Sequence, residues 1–324
     1  MSLTRRQKWR IEKIQNERIF RAEKAANKVE NQAKNNTKNS SKEQVGLVIT
    51  RFGQHLLVES KSGDLLSCTG RQNIELSVAG DRVLFQPLNA GEGVVTALLE
   101  RDNQLRRGQK LIAANIDQLF LIVALQPHYQ FELIDRYLII AQNANLPISI
   151  LVNKIELAKN IQAVKADFAM YQAAGYTVDY LSVKEKINID EFKANLKNKT
   201  QLFLGQSGVG KSSLINALIP QLNLRINEIS KKTKLGKHTT TNTTLYRIAS
   251  GGNLVDSPGV MEFQLDDLSA GEILNGFREF KPFFGNCKFR NCTHINEPNC
   301  AVKTAVKSGK IHPKRYQNYL NLIS

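Results

Sequence analysis

The architecture of this chain follows from one stretch, Gln201-Leu202-Phe203-Leu204-Gly205-Gln206-Ser207-Gly208-Val209-Gly210-Lys211-Ser212-Ser213-Leu214. Its first four residues form an apolar run typical of a buried strand, and a helical run begins after the lysine. Between them lies the pattern Gly-x4-Gly-Lys-Ser, a P-loop that matches at every fixed position. The backbone N–H groups of such a loop bind phosphates, its lysine reaches the β- and γ-phosphates, and the next hydroxyl binds Mg²⁺. We therefore predict a nucleotide site over residues 205–213, with Lys211 on phosphate and Ser212 on Mg²⁺.

Strands and helices alternate on the N-terminal side of this loop. Apolar runs predict strands at 118–125, 148–152, 177–181 and 201–204, and amphipathic runs predict helices at 131–144 and 155–174. Alternation of this kind specifies a mostly parallel sheet with helices on both faces. We place this α/β domain at residues 109–275.

A second motif identifies the base. Asn153-Lys154-Ile155-Glu156 follows a predicted strand and resembles the guanine-reading Asn-Lys-x-Asp motif of GTPases. An acidic side chain there accepts two hydrogen bonds from the guanine N1–H and amino groups, a donor pair that adenine lacks. Glu156 stands where Asp is usual, which keeps the charge but moves it by one methylene. Ser182 resembles the element that supports the base from the other side. We expect GTP to bind; an ATP-dependent enzyme using the same P-loop is the alternative.

The triphosphate end of the site is predicted by two further segments. Asp256-Ser257-Pro258-Gly259 follows an apolar strand, so Asp256 can hold the Mg²⁺ shell and Gly259 can offer its N–H to the γ-phosphate. The first switch belongs at Gly236-Lys237-His238-Thr239-Thr240-Thr241, where we assign Thr240 to Mg²⁺. Val260 occupies the position at which many GTPases have a water-orienting Gln. We therefore assign that catalytic role to His238, with contact to RNA or solvent as its alternative.

The order of these motifs is unusual. In an ordinary small GTPase the P-loop comes first, whereas here residues 153–156 and Ser182 precede it. Chain termini often lie close together at a surface, so they can be joined and the chain can begin at another connection without a change in the sheet. The sequence therefore predicts a circularly permuted GTPase domain.

A metal site is predicted near the C-terminus. Cys287, Cys292, His294 and Cys300 form C-x4-C-x-H-x5-C, and three thiolates with one imidazole suit a closed, structural Zn²⁺ site, one per chain. The fourth cysteine, Cys68, stands alone and is expected to be a buried thiol. The residues after Cys300 predict a basic helical surface that could contact phosphates, carried by Lys303, Lys307, Lys310, Lys314 and Arg315. We assign residues 276–324 to a zinc-binding helical domain.

The N-terminal part has a different character. Short apolar segments separated by glycines over residues 45–108 predict a five-stranded OB barrel, used as an RNA platform or only as a spacer. Residues 1–44 carry twelve Lys or Arg against five Glu and predict a basic arm, helical at best in its first half.

Composition limits the partners. The 324 residues have a formal net charge of +16, which favours polyanions, nucleic acid above all. The longest apolar run, residues 119–125, is too short to span a bilayer, and the acidic residues of the N-terminal arm argue against a transit peptide. We expect a cytoplasmic monomer with reduced thiols and no membrane contact.

Taken together, these residues resemble one family, the small-ribosomal-subunit-dependent GTPases called RsgA. The resemblance covers about residues 45–315 and rests on Arg51-Phe-Gly-Gln-His55, Gly80-Asp-Arg-Val83, the nucleotide motifs and the zinc cluster. It implies an OB barrel, a permuted GTPase domain and a zinc domain in this order. It also implies GTP hydrolysis with Mg²⁺, stimulated by the small subunit during its late maturation, and contact of the barrel and zinc domain with rRNA. The departures are Glu156 and Lys237, which replaces the Arg or Gln usual before the histidine.

Two classes of function stay open on the sequence alone. The chain is either an enzyme that hydrolyses GTP or an RNA-docking factor for which nucleotide is a mainly structural ligand. Turnover of GTP with and without small subunits separates the two.

Overall fold

The computed structural model describes residues 43–70, 77–88, 91–107, 110–222, 243–257 and 268–323. Three groups of predictions lie outside the described residues: nearly all of the basic arm, the switch segment with His238 and Thr240, and Gly259. The predicted domain boundaries at 44/45, 108/109 and 275/276 stay predictions.

The N-terminal strands close into a barrel. They are β1 (Gln44–Phe52), β2 (His55–Ser60), β3 (Leu65–Gly70), β4 (Arg82–Pro87) and β5 (Glu92–Leu98). The order β1-β2-β3-β5-β4 returns to β1, because β4 also pairs with β1. Only the β3–β5 pair in this barrel is parallel. Alternate residues fill its interior, among them Val58, Phe85 and the fully buried Cys68. The predicted OB-like barrel and the buried thiol are confirmed.

A hairpin and an α/β unit follow. The hairpin pairs β6 (Gln104–Arg107) with β7 (Lys110–Ala114). The remaining strands are β8 (Gln118–Ala124), β9 (Ile148–Asn153), β10 (Val178–Tyr180), β11 (Thr200–Leu204), β12 (Thr244–Arg247) and β13 (Asn253–Asp256). The helices are α1 (Phe131–Asn143), α2 (Ile161–Ala173), α3 (Ile189–Asn195) and α4 (Lys211–Leu218).

These strands form a mostly parallel sheet in the order β10-β9-β8-β11-β13-β12, in which only β12 runs antiparallel to its neighbour β13. Alternate residues of β8 face opposite sides: Leu121 packs with α1 and α2, and Ile122 packs with α3 and α4. The sheet is therefore covered by helices on both faces, as the alternation of apolar runs predicts.

One predicted helix is wrong at its start. The sequence pattern suggested a continuous helix over 155–174, but the structure has a 3₁₀ turn at Ile155–Leu157 and then α2 from Ile161. The side chain of Asn160 accepts a hydrogen bond from the N–H of Gln162 at 2.9 Å, so it caps a new helix. This break leaves the residues after Asn153 in a loop at the end of β9.

The C-terminal segment packs on α1. It contains α5 (Ala270–Gly276), a 3₁₀ helix at Arg278–Phe283, α6 (Ala301–Lys307) and α7 (Pro313–Ile323). Ile139 of α1 belongs to the same apolar cluster as Phe277, Phe280 and Tyr319. No helix of the described chain is long and apolar enough to cross a membrane.

The basic surface predicted after Cys300 is wrong for Arg315. This side chain is 1% exposed, and its guanidinium pairs with Asp135 of α1 and Glu279. Burial lowers the pKa of Arg315, but the two carboxylates outweigh that effect and raise it. Arg315 therefore pins α7 to α1, and Lys307, Lys310 and Lys314 remain on the surface.

Candidate active site and metal centre

The P-loop joins β11 to α4 through three glycines with positive φ, at Gly205 (140°), Gly208 (80°) and Gly210 (97°). Two of them also have no room for a side chain. A Cβ on Gly205 would lie 2.2 Å from the backbone oxygen of Ile122, and one on Gly210 would lie 2.3 Å from Nδ2 of Asn153. The loop therefore requires glycine both for its conformation and for its close contact with β8 and β9.

Lys211 lies within this loop and is 8% exposed. Its Nζ donates to the backbone oxygens of Gly205 and Gln206, each at 2.5 Å. Burial lowers the pKa of Lys211 to about 8, and the charge of Asp256 opposes that shift. Among the described residues this ammonium group donates to neutral carbonyls, so it would gain from a phosphate oxygen and is prepared for an anionic ligand.

Ser212 and Asp256 line the same cavity as Lys211, a space of about 180 Å³. Asp256 ends β13, and burial raises its pKa while Lys211 opposes the rise. A hydroxyl and a carboxylate beside a phosphate site are the oxygen ligands that Mg²⁺ prefers. The donor set therefore fits the predicted Mg²⁺, which would neutralise charge on the phosphates.

Asn153 and Lys154 hydrogen-bond directly to the P-loop. Asn153 is 2% exposed, and its Nδ2 donates to the backbone oxygen of Val209 at 2.9 Å. Lys154 has a φ of 61°, and its Nζ donates to Gly208 at 2.7 Å and to Gln126 at 2.6 Å. The two predicted loops thus form one site, although more than fifty residues separate them in sequence.

Glu156 lies in the 3₁₀ turn after Lys154. Its Oε2 atom is buried and has no hydrogen-bond partner among the described residues. A buried carboxylate oxygen without a donor is costly, and a bound ligand with N–H groups would supply one. This orphaned oxygen is the structural feature that fits a guanine edge.

Ser182 lies on the neighbouring loop, fully buried. Its Oγ accepts from the N–H of Glu185 at 3.0 Å, and the next residue, Val183, donates its N–H to Oδ1 of Asn153 at 3.4 Å. Ser182 therefore shapes the loop that contacts Asn153.

Sequence analysis missed the loop after β8. Gln126 accepts from Lys154, and Pro127 lies 3.5 Å from the position of a Cβ on Gly208. The contact of Gln126 uses its backbone oxygen, which any residue type would offer, so the sequence gives no signal for it. The positions of His238, Thr240 and Gly259 lie outside the described residues, so their assigned roles stay predictions.

The ligand atoms of Cys287, Cys292, His294 and Cys300 all lie within 4.8 Å of one another. Nδ1 of His294 is 3.5 Å from Sγ of Cys287 and 3.3 Å from Sγ of Cys300, and these two sulfurs are 3.9 Å apart. Tetrahedral bonds of about 2.3 Å to zinc would place two sulfurs about 3.8 Å apart. The four residues therefore fit a closed, structural Zn²⁺ site.

Backbone and aromatic groups support this centre. The N–H of Ala301 donates to Sγ of Cys287 at 3.3 Å, and the N–H of Lys303 donates to Sγ of Cys300 at 3.5 Å, both at the start of α6. Donors at a helix N-terminus stabilise thiolates. Burial lowers the pKa of His294, which favours the neutral, metal-binding imidazole. The hydroxyl of Tyr316 donates to the backbone oxygen of His294 at 2.7 Å, which ties the centre to α7.

Comparison with known proteins gives consistent matches. Residues 98–266 match the sequence profile described as RsgA GTPase. The chain is 42% identical over 292 residues to the small ribosomal subunit biogenesis GTPase RsgA of Histophilus somni (strain 129Pt), covering 87% of this chain and 83% of that protein. A protein of the same name from Marinobacter nauticus is 42% identical over a 334-residue alignment, which covers 99% of this chain and 95% of the relative.

Solved structures agree with the sequence matches. The crystal structure of YjeQ from Thermotoga maritima has a TM-score of 0.75 and 32% identity, and the match covers 87% of this chain and 98% of that one. YloQ, described as a circularly permuted GTPase, has a TM-score of 0.73 and 28% identity, with 89% and 96% covered. The printed description of YloQ agrees with the permutation predicted from the motif order.

Proposed function

Since this chain belongs to the RsgA family of GTPases, we propose that its hydrolysis of GTP serves late maturation of the small ribosomal subunit. The observation that carries the site assignment is the bonding of Asn153 and Lys154 to the P-loop, which brings a base-reading loop and a phosphate-binding loop together. The assembly role rests on the relatives named above, whose printed names describe small ribosomal subunit biogenesis.

We assign the binding of GTP as follows. Oε2 of Glu156, buried and without a partner among the described residues, accepts from the guanine edge. The backbone of residues 205–213 surrounds the phosphates, and Lys211 exchanges its two carbonyl partners for β- and γ-phosphate oxygens. Ser212 and Asp256 hold Mg²⁺, which stabilises the charge that develops on the phosphates during transfer.

Hydrolysis also needs an oriented water. Val260 follows Gly259, so the chain has no glutamine at that position. We propose that His238 orients the water and that Thr240 and Gly259 complete the contacts of Mg²⁺ and γ-phosphate. Replacing His238 with Ala should lower kcat and leave the affinity for GDP unchanged, since GDP lacks the γ-phosphate beside which the water must be held.

The surface also favours an RNA partner. The loop Lys288-Phe289-Arg290-Asn291 lies between the zinc ligands Cys287 and Cys292, and all four of its residues are exposed. Phe289 is 42% exposed, with Nζ of Lys288 5.7 Å from its ring centre. An exposed ring flanked by cations suits an unpaired base and its phosphates. The chain has a net charge of +16, which favours binding to a polyanion. We propose that it contacts rRNA in the cytoplasm.

The test is GTP turnover by the full chain, alone and with isolated small ribosomal subunits. We expect the subunits to raise kcat by at least about tenfold, as partners that complete a GTPase site do. Isolated large subunits serve as the control partner, and Lys211→Ala serves as the inactive variant. A rate that small subunits leave unchanged would contradict the assembly role and would favour nucleotide as a mainly structural ligand.

A further inference from the structure

The barrel is joined to the α/β unit through a continuous sheet. Strand β1 pairs antiparallel with β12 at Thr50 and Thr244, so the strands of the two units belong to one eleven-stranded sheet. The pairing of β1 with β2 shifts register between Val48 and Thr50. Such a bulge changes the direction of a side chain, and here it lies next to Thr50, the residue of β1 that pairs with β12.

Thr50 makes the polar contact at this junction. It is fully buried, and its Oγ1 donates to the backbone oxygen of Thr243 at 3.0 Å. Oγ1 of Thr50 also accepts a hydrogen bond from Oγ1 of Thr244 at 3.2 Å. A single hydroxyl of the barrel therefore binds both Thr244, the first residue of β12, and the residue before it, Thr243.

These two residues connect to the Mg²⁺ site in two ways. Thr244 is the cross-strand partner of Asp256 on β13. Oγ1 of Thr243 lies 2.9 Å from Oγ of Ser257, which follows Asp256 and lines the cavity shared with Lys211. In sequence, one residue separates Thr243 from the end of the predicted switch segment, and Ser257 precedes Gly259 by two residues.

We infer that Thr50 is a positioning residue for the GTPase reaction, whose hydroxyl fixes the start of β12 and thereby the placement of Asp256 and Ser257. This inference rests on the proposed assignment of Asp256 to Mg²⁺. Catalysis is sensitive to the placement of metal ligands, since a shift of about 1 Å in a group far from the chemistry can cost about a hundredfold in rate. A displacement of the barrel would therefore move Thr50 and the start of β12, and with them Asp256 and Ser257 at the γ-phosphate end of the site.

The test compares Thr50→Val, which keeps the shape of the side chain and removes its hydroxyl, with Thr50→Ser, which keeps the hydroxyl. We expect Thr50→Val to lower basal kcat by about tenfold to a hundredfold and to raise the Mg²⁺ concentration needed for half the maximal rate. The affinity for GDP measured without Mg²⁺ should not change. Thr50→Ser should have the same kcat and the same Mg²⁺ requirement as the wild-type protein.

A second variant separates positioning from simple docking. Glu59 of β2 forms another polar contact between barrel and β12, an ion pair with Arg247, and neither residue lines the cavity. Glu59→Ala should weaken docking and leave basal kcat unchanged. Equal losses in Thr50→Val and Glu59→Ala, or a wild-type kcat in Thr50→Val, would overturn the inference. A wild-type protein without GTP turnover would instead contradict the proposed function, and far-ultraviolet circular dichroism confirms that each variant folds.

Discussion

The nucleotide site and the zinc centre of this protein are built in opposite ways. The four zinc ligands lie within fourteen residues of one another, and α6, which begins directly after Cys300, supplies their supporting N–H groups. The nucleotide site joins loops from residues 153–156, 182, 205–213 and 256, which four strands of the sheet, β9, β10, β11 and β13, bring together. One centre is local and depends on a metal, whereas the other is assembled by the fold.

Because of this difference, different kinds of substitution should disrupt the two sites. A local centre fails when a ligand is lost, because the metal supplies much of its folding free energy. A site assembled from distant loops fails when their contact is lost, even though every phosphate-binding residue is still present. The predictions that follow test this distinction.

The largest effect is expected from Gly210→Ala. The new Cβ would lie 2.3 Å from Nδ2 of Asn153, and the φ of 97° disfavours any L side chain. The strained backbone would cost about 1–3 kcal/mol. Loss of the buried hydrogen bond between Asn153 and Val209 would cost about 1–3 kcal/mol more. Affinity for GTP should fall on the order of a thousandfold, measured by titration with a fluorescent analogue.

Gly309→Ala is the matched control for that variant. Gly309 has a φ of 74°, and nothing lies within 4 Å of the position that an added methyl group would occupy. The substitution should cost about 1 kcal/mol of stability without affecting GTP affinity. Wild-type GTP binding by Gly210→Ala would show that the contact between the two loops is dispensable.

The next effect is on the zinc centre. Cys292→Ser should weaken zinc binding by more than about a hundredfold, because even loss of a supporting residue can cost about that much. Affinity for GTP should change by less than about threefold, since the two centres share no residue. Zinc release is followed with a chromogenic chelator. Cys68→Ser, at the lone buried thiol, should leave zinc content unchanged, and a full zinc content in Cys292→Ser would rule out the ligand set.

The same contrast explains what the sequence could predict. The zinc ligands, the P-loop and the base-reading motif are local patterns, so their residue types and spacing were enough to find them. The barrel followed from short apolar segments separated by glycines, and the parallel sheet followed from the alternation of predicted strands and helices. Gln126, which binds Lys154 through its backbone oxygen, left no such signal.

The sequence also did not predict which polar side chains are buried by contacts with distant parts of the chain. Arg315 sits in a basic sequence but pairs with Asp135, which is 180 residues away. Thr50 belongs to a barrel strand, and its partners Thr243 and Thr244 lie between the P-loop and Asp256 in the sequence. Such pairings depend on which elements the fold brings together, and no spacing rule predicts them.

A smaller effect is expected from Glu156→Ala. Loss of the acceptor for the guanine N1–H and amino groups should lower GTP affinity by about thirtyfold, and ATP affinity should stay the same. The ratio of the two affinities, measured by competition against labelled GTP, is the informative quantity. Glu156→Asp keeps the carboxylate and should keep the preference for GTP. An unchanged ratio in Glu156→Ala would mean that another group reads the base.

The smallest effect is a dependence of GTP affinity on pH. In the free protein, burial lowers the pKa of Lys211 to about 8, and phosphate oxygens would raise it in the complex. If the pKa of Lys211 is higher in the GTP complex than in the free protein, affinity is highest at a pH where the lysine is protonated in both. Affinity falls once the pH exceeds the pKa of the free protein, because binding then requires uptake of a proton. Affinity should therefore be constant below about pH 8 and fall about tenfold by about pH 9. Lys211→Arg keeps its charge over this range and should bind less tightly but with a flat profile, whereas equal slopes in both proteins would assign the effect to ionisation of guanine itself.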